Sequence, residues 1–136
     1  MARAIPTDQA LLAKIYERNL AAFSAHTEDN KIRQTKIWVP IDIEALGKTF
    51  RCDPELIFGR LYYHFNGKFG STSGDGDEVR FFHMRLGPDK HVVNFPLLAS
   101  VLADLQDDHK RFKVSTRLAS LSLVVSSISI MLAVFL

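Results

Sequence analysis

Apolar side chains recur at Leu12, Ile15, Tyr16, Leu20 and Phe23, and Leu11 widens their face. Steps of three and four predict an amphipathic helix, and Thr7 and Asp8 after Pro6 supply its start. Residues 26–34 are polar and read as a loop. Over 36–39 the alternation sets Ile37 and Val39 on one side and Trp38 on the other, a short strand that Pro40 ends. A short helix over 42–50 follows, with Ile43, Leu46 and Phe50 on one face, and Arg51-Cys52-Asp53 breaks it. Asp53 is a good N-cap and Pro54 fits the first helical position, so a second helix is predicted over 54–68, with Gly67 and Gly70 marking its end. Residues 71–78 read as a flexible loop by composition. Residues 79–86 read as a strand, 87–90 as a turn and 91–95 as the returning strand. An even-numbered turn would put Phe82, Met84 and Leu86 on the face of Val93 and Phe95. From Pro96 a helical spacing returns with Leu98, Val101, Leu102, Leu105 and Phe112, and the pattern allows this helix to run unbroken into the last segment.

That last segment, 118–136, holds no charged side chain. At about 1.5 Å per residue it reaches roughly 28 Å, close to the hydrocarbon thickness of a bilayer. Eleven of its residues are Leu, Ile, Val or Phe. At about −0.3 to −0.6 kcal/mol each they favour insertion by roughly 3 to 7 kcal/mol. A buried core helix is the alternative, but so small a domain cannot wrap a helix that is apolar all round. The expected division is a domain over 1–113 and a transmembrane anchor over 114–136. Lys110, Arg111, Lys113 and Arg117 precede the apolar run and no charge follows it. The positive-inside rule then predicts a single-pass protein with its N-terminal domain in the cytoplasm. Residues 1–9 contain no apolar stretch of signal-peptide length, so nothing there is expected to carry the domain across a membrane. Within the anchor, Ala119, Ser122, Ser126, Ser129 and Ala133 follow steps of three and four. They draw one stripe of small residues, suited to packing against a partner helix or a second copy. A chance stripe in a serine-rich helix, its hydroxyls bonded to their own backbone, is the bland alternative.

Composition adds little to the first domain. The formal net charge of +2 is too small to announce a nucleic-acid partner. One cysteine, Cys52, excludes an internal disulfide. Two short helices joined by a three-residue turn and followed by a β-hairpin make up the plan of a winged helix. The segment from Val39 to Leu61 resembles the helix-turn-helix of that superfamily. Ile43, Glu44, Ala45, Leu46 and Gly47 resemble its first helix, and Asp53, Pro54 and Glu55 the capped start of its second. The resemblance implies an α+β fold: a winged-helix-like domain, then one transmembrane helix. Residues 8–23 would be the preceding helix and 81–95 the wing. Leu46, Leu61, Phe82 and Val93 are expected in one core.

The resemblance also implies a contact face on the second helix, which carries Arg60, Tyr63, His64 and Lys68 among aromatics. Such a face can meet phosphate and base edges or another protein, or belong to a partly packed helix. Low net charge and the tether favour a protein contact or a purely structural role over DNA. Five histidines invite a metal, but none has His-Glu-x-x-His spacing, and the hairpin register sets His83 and His91 on opposite faces. Gly74 to Glu78 lacks the ligand pattern of a calcium loop. Cys52 has no catalytic pairing, and Ser71 and Ser73 have no acyl-transfer setting. No metal, cofactor or catalytic residue is expected, and the chain reads as non-enzymatic. The expected function is an interaction or regulatory module at the cytoplasmic face of a membrane, such as an accessory subunit of a membrane complex. A membrane-tethered transcription regulator that binds DNA is the alternative.

Overall fold

A computed structural model describes residues 5–135; Met1 to Ala4 and Leu136, the last residue of the expected anchor, lie outside the described residues. The chain divides into two compact units, one ending at Leu102 and the other beginning at Ala103. The first is α+β. Its elements run α1 (Asp8–Ala25), β1 (Trp38–Pro40), α2 (Ile43–Phe50), α3 (Pro54–Gly59), a π-helical segment (Arg60–Phe65), α4 (Asn66–Phe69), β2 (Ser71–Thr72), β3 (Glu78–Val79), β4 (Phe82–Leu86) and β5 (Asp89–Asn94). The last helix, α5, spans Phe95–Phe135.

The helix starts follow the side chains that cap them. Thr7 Oγ1 accepts from the Ala10 amide, Asp42 Oδ1 from Ala45 and Asp53 Oδ1 from Glu55, each satisfying an amide that the first turn leaves unpaired. Between α2 and α3 the chain turns tightly. Arg51 takes a left-handed conformation with φ 53°. A Cβ at Gly47 would lie 2.9 Å from both the Cys52 carbonyl oxygen and Pro54 Cγ, so glycine is what lets α2 end this close to the turn.

The three-stranded antiparallel sheet has the order β1-β5-β4, with Val39 opposite Val93 and Phe82 opposite Val93 on the other side. Pro40 is tolerated because β1 is an edge strand. Gly87, at φ 58°, and Pro88 form the two-residue turn between β4 and β5. A positive φ followed by the fixed negative φ of proline is the sign pattern of a type II′ hairpin turn. The core is Leu11, Leu12 and Ile15 of α1, Leu46, Ile57, Leu61, Phe65, Phe81, Phe82, Val92, Val93 and the start of α5. All four residues expected there, Leu46, Leu61, Phe82 and Val93, are buried. Tyr16 and Phe23 stack on Phe95 at 5.5 and 4.7 Å, while Leu20 is exposed.

Several expectations need correction. The turn expected over 87–90 is only Gly87-Pro88, so the returning strand begins at Asp89 and ends at Asn94. The strand predicted over 79–86 is broken at Arg80-Phe81. Asn66 Oδ1 accepts from the amides of Phe81 and Phe82, and its Nδ2 donates to the Phe82 carbonyl. This side chain replaces a ladder partner, bends the chain, and lets two consecutive phenylalanines both be buried. The loop over 71–78 is also not wholly irregular. Ser71 pairs with Val79 and Thr72 with Glu78, and the Ser73 amide donates to the Asp77 carbonyl at 2.7 Å.

The loop between α1 and β1 is pinned by two side chains. Arg33 donates to the carbonyls of Ala22, Lys36 and Trp38. His26 is buried, and its Nδ1 accepts from the amides of Ile32 and Arg33 at 3.1 and 3.4 Å. An accepting Nδ1 means a neutral ring. Burial, then Arg33, Lys36 and Lys31, hold the His26 pKa below its usual value.

In the second unit Leu105 is half-buried, and every residue from Gln106 to Phe135 is exposed. Phe112, predicted on an apolar face, is 70 % exposed. The helix is long and apolar enough to cross a membrane, and its most apolar window is unburied.

Candidate functional site

The helical run over 54–69 carries two rows of four-residue spacing. Ile57, Leu61 and Phe65 are fully buried. Arg60, His64 and Lys68 form the other row, half-buried at Arg60 and His64 and exposed at Lys68. All three converge on Asp8, the first residue of α1 and half-buried there. Arg60 Nη2 ion-pairs with Asp8 Oδ1. His64 Nε2 lies 3.1 Å, and Lys68 Nζ 3.4 Å, from Asp8 Oδ2. A carboxylate only accepts, so His64 Nε2 carries the proton and donates. Burial, followed by the charges of Arg60 and Lys68, lowers the His64 pKa.

The π-helical segment explains how both rows stay straight. In an α-helix a four-residue step overshoots one turn by about 40°, so a row of three drifts by about 80°. The wider π turn opposes this drift over Arg60–Phe65. The same segment therefore keeps Leu61 and Phe65 in the core and Arg60 and His64 over Asp8. The basic row stands out in the sequence, but its partner does not. Asp8 lies more than fifty residues away, and in the sequence it reads only as a helix start. The signal available was the strict four-residue period of two rows on one helix, which a uniform α-helix does not sustain.

Tyr63 stands apart from this cluster. It is 73 % exposed, with the ring of Tyr62 edge-on at 5.1 Å. Tyr62 in turn stacks on Phe58 at 5.4 Å, and Phe58 meets both Phe82 and His91 edge-on at 5.7 Å. This aromatic group borders a groove of about 430 Å³ between α2, α3 and β5. Buried or half-buried Ile41, Ile43, Pro54, Phe58 and His91 line it, and exposed Asp42, Glu44, Glu55 and Lys90 flank it. Three carboxylates against one ammonium leave the groove apolar within and acidic at its edge. His91 has a positive φ of 54°, and burial followed by Lys90 lowers its pKa.

The remaining candidates have plain structural surroundings. His83 packs on Trp38 at 4.5 Å, away from His91. Among the described residues no group of three or more His, Cys, Asp or Glu could hold a metal ion. Cys52 is half-buried in the α2–α3 turn with Sγ 3.7 Å from the Asp53 carbonyl oxygen. Along α5, the hydroxyls of Ser126, Ser127 and Ser129 donate to carbonyls one turn back. Ser126 and Ser129 belong to the stripe with Ala119, Ser122 and Ala133, and Ser127 does not, so this bonding does not set the stripe apart. No protein-family model matches the chain, and comparisons with curated proteins and with solved structures found no match.

Proposed function

We propose that the chain is a membrane-anchored, non-enzymatic interaction module, an accessory subunit that holds a winged-helix-like domain at the cytoplasmic face. The order helix, strand, helix, turn, helix, hairpin supports the winged-helix reading, with β1 adding to the hairpin as a third strand. The exposed apolar helix after a basic cluster supports the anchor and its orientation.

One observation carries the choice of protein over DNA as the partner: Asp8 occupies the basic row. To read phosphate, Arg60 and Lys68 would have to leave Asp8, and its carboxylate would then face the phosphates as a like charge. The groove flanked by Asp42, Glu44 and Glu55 is the better contact. Its chemistry suits a partner segment that presents an apolar side chain among lysines or arginines.

The test uses the full chain in its membrane. It should resist alkaline carbonate washing. A photo-crosslinker at Phe58 should capture a defined membrane-protein partner, one at Glu78 should not, and charge reversal by Glu44→Lys with Glu55→Lys should abolish the capture. Salt-steep binding of duplex DNA by the full chain, lost on Arg60→Gln with Lys68→Gln, would replace this reading with a DNA-binding regulator.

A further inference from the structure

The segment before the anchor sorts its charges by face. At about 100° per residue, Lys113 and Arg117 fall within about 60° of Lys110 around the helix. Asp104, Asp108 and Arg111 fall about 100° or more from Lys110, and Asp107, about 60° from Lys110 on the side away from Lys113 and Arg117, pairs with Arg111 at 3.2 Å. Lys110, Lys113 and Arg117 have no ion-pair partner among the described residues, and all three are exposed. Measured from Leu118, Arg117 lies about 1.5 Å, Lys113 about 7.5 Å and Lys110 about 12 Å along the helix axis. The headgroup layer on each side of a bilayer is roughly 5 to 8 Å thick. Arg117 and Lys113 therefore reach that layer, and Lys110 stands within about one Debye length of it. Long basic side chains at a membrane interface extend their charge toward the headgroups and lay their stems along apolar surface.

We propose that Lys110, Lys113 and Arg117 form a docking surface for anionic phospholipid headgroups, so that the helix gathers such lipids around itself. Plain solvation of a helix end would not predict the sorting. Acids and bases mixed around the helix would be equally soluble, whereas here the free cations share one side, Asp104 and Asp108 lie off it, and Asp107, the acid next to Lys110, is paired with Arg111. The occupant is a lipid because the row continues directly into the apolar helix, and the headgroup phosphate is the anion held at that depth. The proposal rests on the reading of residues 118–135 as a membrane span.

The experiment reconstitutes the full chain in phosphatidylcholine bilayers with a trace of spin-labelled phosphatidylserine or spin-labelled phosphatidylcholine. The preference of the protein for one lipid over the other is read from the motionally restricted fraction. The expected preference for phosphatidylserine is about fivefold or more, the contribution of at least one cation near the surface. It should fall to about onefold in K110Q/K113Q/R117Q and survive R111Q, because Arg111 is already paired. Equal affinity for the two lipids, an unchanged preference in the triple variant, or abolition of the preference by millimolar inorganic phosphate would overturn the proposal. Flotation after alkaline carbonate is run on the same vesicles. A chain that stays in the bilayer without preference refutes the lipid surface alone, while a chain that washes off refutes the span and the lipid surface with it.

Discussion

Residues 54–69 and 103–117 each carry a basic row at helical spacing, and the two rows meet opposite conditions. Arg60, His64 and Lys68 share one carboxylate, Asp8, which is itself half-buried. Lys110, Lys113 and Arg117 share none, and Asp107, the acid next to Lys110, is paired with Arg111 instead. In a sequence the two rows look alike. The first fastens α1 to the helical run behind the hairpin, because cations that approach a core must bring an anion with them. The second lies on a helix with nothing packed over it, where lone cations cost nothing and remain free for an anion from outside. A row of charge says where a contact can form, and only the far side of the fold says whether it has already formed.

The comparison breaks most sharply on the helical run itself, whose inner and outer rows should respond differently. Leu61→Ala opens a cavity in the core and should lower stability by about 2 to 5 kcal/mol, whereas Phe112→Ala on the exposed part of α5 should change it by no more than about 0.5 kcal/mol. Thermal unfolding of the full chain in detergent micelles measures both. Asp8→Asn comes next. It removes the shared anion and leaves two partly exposed cations, Arg60 and Lys68, facing each other beside His64, at a cost of about 1 to 3 kcal/mol. That is less than for a fully buried pair, because solvent still reaches Lys68 and His64. The same variant should gain salt-sensitive retention on heparin. A loss of stability without that gain would mean that the row is not held back by Asp8.

Much of this arrangement is written locally and so can be read from residues in order. Asp42 and Asp53 cap the helices they precede, Pro54 opens α3, and Gly87-Pro88 turns the hairpin, each through contacts within four residues. What could not be read depends on distant partners. Asn66 is an ordinary polar position in a helix until Phe81 and Phe82 present their amides to it. Leu20 continues the apolar period of α1 but finds nothing to cover it. The residues 71–78 have loop composition, yet their ends pair because α4 and the bend at Arg80-Phe81 bring them together. Of the contact candidates, Arg60, His64 and Lys68 were visible as a row. That Tyr63 belongs with the aromatic group beside the groove instead follows from Tyr62 and Phe58, and no residue spacing announces it.

Acid sharpens the comparison further. His26, His64, His83 and His91 of the first unit are all held below the usual histidine pKa, with burial the largest cause in each. Their folded pKa values lie below about 6.5, the unfolded value, so in mild acid the unfolded chain binds more protons. Stability is therefore complete above about pH 6.5 and is lost as the pH falls through the depressed folded values. The melting temperature of the full chain should drop between pH 7 and pH 5, and His26→Gln should reduce the slope. A flat profile would show that Nδ1 of His26 does not have to stay unprotonated to hold the loop.

The smallest effect is expected from the one paired cation of the second row. Asp107 and Arg111 stand four residues apart on the helix, and their side chains are 59 % and 77 % exposed. Exposed pairs at this spacing contribute only about 0.3 to 0.5 kcal/mol, because water screens the attraction and the two long side chains lose freedom. Asp107→Asn should therefore leave the melting temperature within about 1 to 2 °C of the parent. Its consequence should show in the lipid measurement. Arg111, once released, is about 100° around the helix from Lys110, close enough for its long side chain to bend toward the same headgroups. The preference for phosphatidylserine should rise modestly, by less than the fivefold that a cation already on the row contributes. A large loss of stability in Asp107→Asn would place this pair beside the Asp8 cluster as a structural clamp. An unchanged lipid preference would confine the headgroup contact to the side that carries Lys110, Lys113 and Arg117.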